Sequence, residues 1–98
     1  MPKLFVYGTL KNPKIREYIL GRKTESERAI LPNFTKRKAS LYYYVREREG
    51  DEVDGLLVNV TDDDILSVDR YENVPLLYTR KEVDVYVNGK KEKAWVYL

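Results

Sequence analysis

The chain has 98 residues, of which 18 are Lys or Arg and 16 are Asp or Glu, and it contains neither cysteine nor histidine. This length fits one small domain with a single core, which we assign to residues 1–98. The missing residue types exclude disulfides, thiolate nucleophiles, zinc–thiolate sites, imidazole bases and imidazole metal ligands. Any acid–base chemistry must therefore rest on Asp, Glu, Lys or Tyr side chains.

No segment of the sequence approaches the ~20 apolar residues of a membrane span. The first ten residues are too short and too polar for a signal peptide. We therefore expect a soluble, cytoplasmic protein without a membrane partner. The charged fraction of 35% and the absence of glutamine are tendencies of proteins from heat-loving organisms.

The first elements are a strand and a helix. Lys3–Tyr7 is apolar, β-branched or aromatic, which predicts a buried strand that Gly8 ends. Asn12 and Pro13 are typical of a helix N-cap and first turn, and Gly21 is typical of a helix end. The sequence therefore predicts one short helix after the first strand.

The middle of the chain predicts three strands. Residues 24–34 and 37–46 are rich in apolar and aromatic residues, with Pro32 marking an edge or a bend. Glu47–Asp54 is polar and contains a glycine, so we expect a loop there. Val53–Val60 is again apolar, and its glycine indicates close backbone approach or a bulge.

Three aspartates after Thr61 predict the start of a second helix. Thr61 can cap it, Asp64 occupies the reciprocal position of a capping box, and the helix is expected to run to about Tyr71. The same capping explains Asp62-Asp63-Asp64 better than a metal site does, because the run lacks the glycine and spaced ligands of a calcium loop.

The end of the chain predicts a β-hairpin. Leu76–Val87 and Lys93–Leu98 are its strands, and Asn88-Gly89 is a strong turn signal between them. The resulting order, β-α-β-β-β-α-β-β, indicates an α+β domain with a mixed or largely antiparallel sheet, which can close into a small barrel.

The first candidate site is the loop that follows the first strand, Val6-Tyr7-Gly8-Thr9-Leu10. A strand that ends at a glycine before a helix can present backbone N–H groups to an anion or a developing oxyanion. Gly8 lets the backbone approach a ligand closely. The alternative is a plain strand-to-helix turn.

The second candidate is a carboxylate at a helix end. Ile65, Val68 and Glu72 are spaced i, i+3, i+7 and share one stripe of the helix. Glu72 is then expected to point inward, where apolar surroundings raise its pKa into a range that suits proton transfer. The alternative is that the helix ends one residue earlier and Glu72 turns to solvent or pairs with Arg70 or Arg80.

The third candidate is Tyr78-Thr79-Arg80. In a strand, Tyr78 and Arg80 share a face, so Tyr78 could hydrogen-bond a substrate or orient Glu72, and Arg80 could bind a carboxylate. The alternatives are core packing for Tyr78 and a surface charge for Arg80. For Arg80 we favour the surface position.

Basic and aromatic residues interleave in one further segment, at Lys36-Arg37-Lys38, Tyr42-Tyr43-Tyr44, Arg46 and Arg48. Such a set can bind single-stranded nucleic acid through phosphate contacts and base stacking. The near-neutral net charge of +2 favours ordinary sheet positions with solvated charges instead. We therefore expect no nucleic-acid partner.

Five motifs in order resemble the gamma-glutamylcyclotransferase-like family, in particular its gamma-glutamylamine cyclotransferase type. They are Tyr7-Gly8-Thr9-Leu10, Val53-Asp54-Gly55-Leu56-Leu57, Val68-Asp69-Arg70-Tyr71-Glu72, Tyr78-Thr79-Arg80 and Ala94-Trp95-Val96-Tyr97. The chain departs from the family pattern at Asn73, where many members have glycine, and it is short for the family. Residues 42–52 also lack an expected proline.

The resemblance implies a small mixed β-barrel with flanking helices and a pocket between the first loop and Glu72. It implies a cofactor-independent and metal-independent reaction on a small γ-glutamyl compound, in which the substrate's α-amine attacks its γ-carbonyl and releases 5-oxoproline and an amine. Glu72 would be the general acid and base, and the substrate-binding residues would be Tyr7, Gly8, Thr9, Leu10 and Tyr78. The alternative is a non-catalytic ligand-binding module on the same fold, and we expect a monomer or a homodimer.

Overall fold

The computed structural model describes residues 2–98. Its strands are β1 (Lys3–Val6), β2 (Ser26–Ala39), β3 (Tyr42–Asn59), β4 (Arg80–Val87) and β5 (Lys90–Tyr97), and its helices are α1 (Pro13–Leu20) and α2 (Asp62–Tyr71). The strands form a closed barrel in the order β1-β3-β2-β4-β5. The β1–β5 pair is parallel and the other pairs are antiparallel. This confirms the predicted α+β fold with a mixed barrel and flanking helices.

Two hydrophobic clusters hold the fold together. Alternate residues of all five strands point to one side and form the first cluster, which fills the barrel: Phe5, Tyr7, Ala29, Leu31, Phe34, Val45, Val53, Leu57, Val85, Val87, Ala94 and Val96. The second cluster joins the outer face of β1 and β3 to α2 and includes Leu4, Val6, Leu10, Val58, Val60, Ile65, Val68, Tyr78 and Tyr97. The first loop and the end of α2 are therefore fixed against the same part of the barrel.

Both helices begin and end where the capping residues predict. The Asn12 side chain accepts a hydrogen bond of 2.9 Å from the Lys14 N–H at the start of α1, and Gly21 ends it with φ of 74°. At α2, Thr61 accepts from the Asp64 N–H at 3.0 Å, and the Asp64 carboxylate accepts from the Thr61 N–H at 2.8 Å. This confirms the capping box, with aspartate in the place of the usual glutamate.

The predicted boundaries within residues 24–54 are wrong. Instead of strands at 24–34 and 37–46 and a loop at Glu47–Asp54, the chain forms one long hairpin of β2 and β3 that turns at Ser40-Leu41. The polar segment stays in the ladder because its backbone pairs with β2 while its side chains are largely exposed. The order of elements therefore has two strands between the helices and not three.

The bend expected at Pro32 is a β-bulge. The pairing register shifts between Pro32 and Phe34, and Asn33 between them has a left-handed φ of 62°. The Asn33 side-chain oxygen accepts a hydrogen bond of 3.1 Å from the Gly50 N–H of the facing strand. This contact keeps the two strands paired through the polar stretch.

The fourth strand begins at Arg80 and not at Leu76. Residues 72–77 form turns, in which Asn73 has φ of 57° and its carbonyl accepts a hydrogen bond of 2.9 Å from the Leu77 N–H. The backbone groups that a strand would need are thus used locally. Asn73 adopts the left-handed conformation for which asparagine is suited.

The closing hairpin turns at Asn88-Gly89 as predicted, with φ of 51° and 78° at the two residues. Its second strand starts at Lys90, three residues before the predicted Lys93. Among residues 2–98, no helix is long and apolar enough to cross a membrane.

Candidate active site

A cavity of about 190 Å³ opens beside the end of β1. Its lining includes all six residues that the sequence suggests for catalysis or substrate binding: Tyr7, Gly8, Thr9, Leu10, Glu72 and Tyr78. The other lining residues are aromatic or aliphatic: Phe5, Val6, Leu41, Tyr42, Tyr43, Tyr71, Leu77 and Tyr97. Glu72 is therefore the single charged side chain among the described residues of the lining.

The first loop lines the cavity, and two of its side chains anchor it. Tyr7 and Leu10 are buried, and a short 3₁₀ turn, Thr9–Lys11, separates β1 from α1. A Cβ atom on Gly8 would lie 3.5 Å from the Cβ of Tyr43, so the loop backbone packs against β3. Within residues 2–98 the Gly8 N–H donates no hydrogen bond, which leaves it available to a ligand.

Glu72 lies at the C-cap of α2, where its N–H donates to the Val68 carbonyl at 2.8 Å. The helix ends at Tyr71, as one of the two sequence-based hypotheses supposes. The Glu72 side chain nevertheless does not turn to solvent but is half-buried and lines the cavity. It forms no ion pair with Arg70 or Arg80 in the described part of the chain. Burial raises the pKa of Glu72 from 4.5 to about 7.

Glu72 lines the same cavity as Tyr7, Tyr78 and Tyr97. Burial is the main cause that raises the pKa of Tyr7, Tyr78 and Tyr97, and the negative charge of Glu72 adds to the increase for each of them. The pKa of Tyr78 rises to about 12. These phenols remain protonated at neutral pH. The pKa of Glu72, in contrast, lies near neutral pH.

Tyr78 fixes the connection between α2 and β4 against β3. Its hydroxyl donates to the Tyr43 carbonyl, and its ring meets the Tyr42 ring edge-on with 5.7 Å between centroids. Its hydroxyl therefore binds the backbone and does not hydrogen-bond Glu72. Tyr78 precedes β4, so the expected Tyr78-Thr79-Arg80 strand begins only at its last residue.

A chain of hydrogen bonds that involves the lining residues Tyr7 and Tyr97 links the barrel to α2. The Tyr7 hydroxyl donates to the Tyr97 carbonyl at 2.5 Å, and the Tyr97 hydroxyl donates to the Asp69 carboxylate at 2.7 Å. Arg80 donates to both Asp69 oxygens, at 3.0 and 3.3 Å, and its guanidinium lies 4.4 Å from the Trp95 ring centroid. Arg80 is thus neither a solvated surface charge nor placed in the cavity lining.

Two residues of this hydrogen-bond chain, Asp69 and Tyr97, were not identified as functional candidates from the sequence. Asp69 precedes Glu72 by three residues and so lies on the same side of α2, which is the signal that could have indicated it. No local pattern indicates Tyr97, because its partner Tyr7 lies 90 residues away in the chain.

The basic and aromatic segment is divided between two faces of the hairpin. Tyr42 and Tyr44 are half-buried against the second hydrophobic cluster, whereas Tyr43 lies on the opposite face with the ammonium groups of Lys36 and Lys38 over its ring. Among residues 2–98, no group of three or more Asp or Glu side chains is placed to hold a metal ion.

Comparison with known proteins decides the family. The model of the family described as gamma-glutamyl cyclotransferase, AIG2-like, matches residues 4–98. The chain belongs to this family. AIG2-like protein C of Arabidopsis thaliana is 32% identical over 96 residues, which are 95% of this chain and 55% of that protein. Three AIG2-like proteins of Arabidopsis thaliana match most of this chain, which spans only 53–62% of their length.

Solved structures agree with the family fold. The solution structure of an Arabidopsis thaliana protein is 29% identical and superimposes with a TM-score of 0.87, covering 99% of this chain and 67% of that one. A gamma-glutamyl cyclotransferase of known structure also gives a TM-score of 0.87, at 22% identity, covering 98% of this chain and 64% of that one. The barrel and its helices are therefore those of the AIG2-like fold.

Proposed function

We propose that this chain is a cyclotransferase that releases 5-oxoproline from a small γ-glutamyl compound. The observation that carries the proposal is Glu72, which among residues 2–98 is the single charged side chain of a mainly aromatic and aliphatic cavity lining, with a pKa raised to about 7. A carboxyl group with this pKa can accept and return a proton at neutral pH. A relative from Methanocaldococcus jannaschii, 36% identical over 59 residues, is named a gamma-glutamylcyclotransferase and putative RNase.

The reaction is an intramolecular acyl transfer. The ionised Glu72 takes a proton from the substrate's α-ammonium group, and the freed amine attacks the γ-carbonyl carbon to close a five-membered ring. Glu72 then returns its proton to the leaving nitrogen, the tetrahedral intermediate collapses and the bond from the γ-carbon to that nitrogen breaks. Glu72 next takes the second proton from the attacking nitrogen and passes it to the released amine, which departs as an ammonium ion. The products are 5-oxoproline and a free amine, and neither water nor an enzyme nucleophile is consumed.

The cavity contributes mainly by holding the substrate in a curled conformation. A well-oriented ring closure has an effective molarity of roughly 10⁵–10⁸ M. Positioning the substrate therefore removes much of the entropic barrier of the uncatalysed reaction. The Gly8 N–H donates no hydrogen bond within residues 2–98 and is suited to the oxyanion of the intermediate, since backbone donors stabilise developing negative charge. Thr9, Leu10, Tyr7 and Tyr78 would shape the wall around the γ-glutamyl group.

Product analysis tests this proposal. We would incubate the 98-residue chain with γ-glutamyl amino acids and γ-glutamyl amines, with protein-free controls for spontaneous cyclisation, and quantify 5-oxoproline and the released amine by mass spectrometry. The expected result is equal amounts of both products and no glutamate. Release of glutamate would show attack by water, and the absence of any product from a folded protein that binds these compounds would indicate a non-catalytic binding module. Either result contradicts the proposal.

A further inference from the structure

Three lysines lie beside the mouth of the cavity, and we name them the lysine rim: Lys11, Lys36 and Lys38. The Lys36 ammonium lies 4.7 Å and the Lys38 ammonium 5.8 Å from the ring centroid of Tyr43, which lines the cavity. Lys36 also donates to the Tyr7 carbonyl at 3.1 Å. Lys11 ends the short 3₁₀ turn and directly follows Leu10, which lines the cavity. Burial lowers the pKa of Lys36, and the charge of Lys11 lowers it further.

The register of the long hairpin explains why these lysines are together. Lys36 pairs with Val45 and Lys38 with Tyr43, and paired residues project to the same side of the sheet. Val45 is buried inside the barrel, so Lys36, Lys38 and Tyr43 continue the inward-facing row beyond the point where the barrel core ends. The hairpin thereby extends the inner surface of the barrel into a cationic lip at the cavity.

The lysine rim has no anionic partner in the described part of the chain. The ion pairs of residues 2–98 engage other cations, such as Lys3, Lys81 and Lys93, and none involves a lysine of the rim. Clustered like charges destabilise the free protein, and an anion placed among them removes that repulsion. The rim therefore has the electrostatic character of a site for an anionic group.

We propose that the lysine rim binds a carboxylate on the leaving group, so that γ-glutamyl amino acids or peptides are preferred over γ-glutamyl amines. This inference rests on the proposed cyclotransferase function. Ring closure must occur beside the half-buried Glu72, whereas Lys36 and Lys38 are exposed and lie over the ring of the lining residue Tyr43, where the departing half of the substrate would lie. Leu41 and Leu77, which are 96% and 47% exposed in the cavity wall, offer contacts to an apolar side chain on that half.

A matched pair of substrates tests the inference. γ-Glutamyl-leucine and γ-glutamyl-3-methylbutylamine differ only in the carboxylate of the leaving group, and both retain the carboxylate of the γ-glutamyl group. We expect the wild type to favour the acid by about tenfold in kcat/KM, mainly through KM, as charge-assisted hydrogen bonds of typical strength imply. The preference should weaken as sodium chloride is added, because exposed charges are screened.

Lys38→Gln is the informative variant, because Lys36 also contacts the loop through the Tyr7 carbonyl. Lys38→Gln should reduce the acid-to-amine ratio of kcat/KM by about threefold or more, in the range of partly exposed ion pairs. Arg37→Gln is the matched control, since it removes an adjacent cation from the opposite face of β2, and we expect it to leave the ratio unchanged. An equal loss for both substrates in Lys38→Gln would assign the rim to the γ-glutamyl carboxylate and overturn the inference.

Binding separates this inference from the proposed function. If the wild type converts neither compound, the cyclotransferase function fails, and the rim is judged by calorimetric affinity for the same two compounds. Tighter binding of γ-glutamyl-leucine that disappears in Lys38→Gln would still support carboxylate recognition at the rim. Equal affinity for the two compounds, or no binding of either, would overturn it.

Discussion

Glu72 lies where the buried side of α2 reaches the cavity, and this position gives the carboxyl group its chemical character. Burial raises its pKa to about 7, and Glu72 forms no ion pair within residues 2–98. A group with such a pKa is about half ionised at neutral pH, so the same residue can act as base on the attacking nitrogen and as acid on the leaving nitrogen. The protein needs no second titrating group for the proposed reaction.

The first prediction at this scale concerns the pH dependence of activity. If ionised Glu72 deprotonates the substrate, kcat/KM for γ-glutamyl-leucine should rise with pH along a limb centred near 7, the pKa of Glu72 in the free protein. Steady-state kinetics between pH 5.5 and 8.5 would measure this limb. A profile that is flat across this range would contradict the assignment of Glu72 as the base.

A second prediction concerns stability. The pKa of Glu72 is about 7 in the folded protein and 4.5 as its ordinary value, so the folded state binds more protons than the unfolded chain between these pH values. Glu72 therefore lowers the free energy of unfolding as pH rises from 4.5 through 7. Glu72→Gln lacks this penalty. Its free energy of unfolding relative to that of the wild type should therefore increase by on the order of 2 kcal/mol between pH 4.5 and pH 8.

Urea denaturation of both proteins at the two pH values measures this difference. The matched comparison is the change in the stability difference with pH, because it cancels any constant effect of the substitution itself. A stability difference that does not vary with pH would mean that Glu72 titrates normally in the folded protein.

At the scale of elements, the helix ends were predictable and the long hairpin was not. Asn12, Gly21 and Thr61 act through local backbone hydrogen bonds and turn conformations, which are visible in a short stretch of sequence. The polar segment after Val45 has no apolar alternation, so it resembles a loop. It remains a strand because it pairs with β2 across the bulge at Asn33, a contact that no local pattern reveals.

Gly55 provides the prediction at this scale. A Cβ atom there would lie 2.4 Å from the Val6 carbonyl oxygen and 2.6 Å from a ring carbon of Phe5, so β1 and β3 could not keep their spacing. Gly55→Ala should lower the free energy of unfolding by about 3 kcal/mol, at the upper end of overpacking effects. Gly8→Ala is the control, since its nearest contact is 3.5 Å, and its stability should stay close to wild type.

Urea denaturation at pH 7 measures both variants. A Gly55→Ala protein as stable as the Gly8→Ala protein would show that β1 and β3 tolerate a wider separation. The sequence predicts a close backbone approach at the glycine of this strand, and the structure confirms it between Gly55 and Val6.

At the scale of the whole molecule, closure of the barrel assembles the site from distant parts of the chain. The first loop, the end of α2 and β5 meet around Tyr7, Glu72 and Tyr97. The motifs on the first loop and on α2 could be identified from the sequence because each is compact. The contacts of Asp69 with Tyr97 and Arg80 could not be identified, and neither could the lysine rim, because they depend on strand register and on contacts between residues far apart in the chain.

Tyr97→Phe tests whether this long-range chain positions Glu72. The variant keeps the buried ring and removes the hydroxyl that donates to Asp69, one turn before Glu72 on α2. We expect a loss of about 1 kcal/mol in stability, as for one net hydrogen bond, and a fall in kcat with little change in KM. Kinetics with γ-glutamyl-leucine below the unfolding range separates the two effects, and an unchanged kcat would show that the bond serves stability alone.

The most direct measurement is 5-oxoproline release by Glu72→Gln. This variant keeps the size and shape of the side chain but cannot accept a proton, so we expect turnover to fall by about 10²–10⁴-fold, the usual contribution of general acid–base catalysis. Circular dichroism should show an intact fold, and affinity for γ-glutamyl-leucine should remain close to wild type. Turnover by a folded Glu72→Gln protein at a rate comparable to wild type would contradict the central role of Glu72.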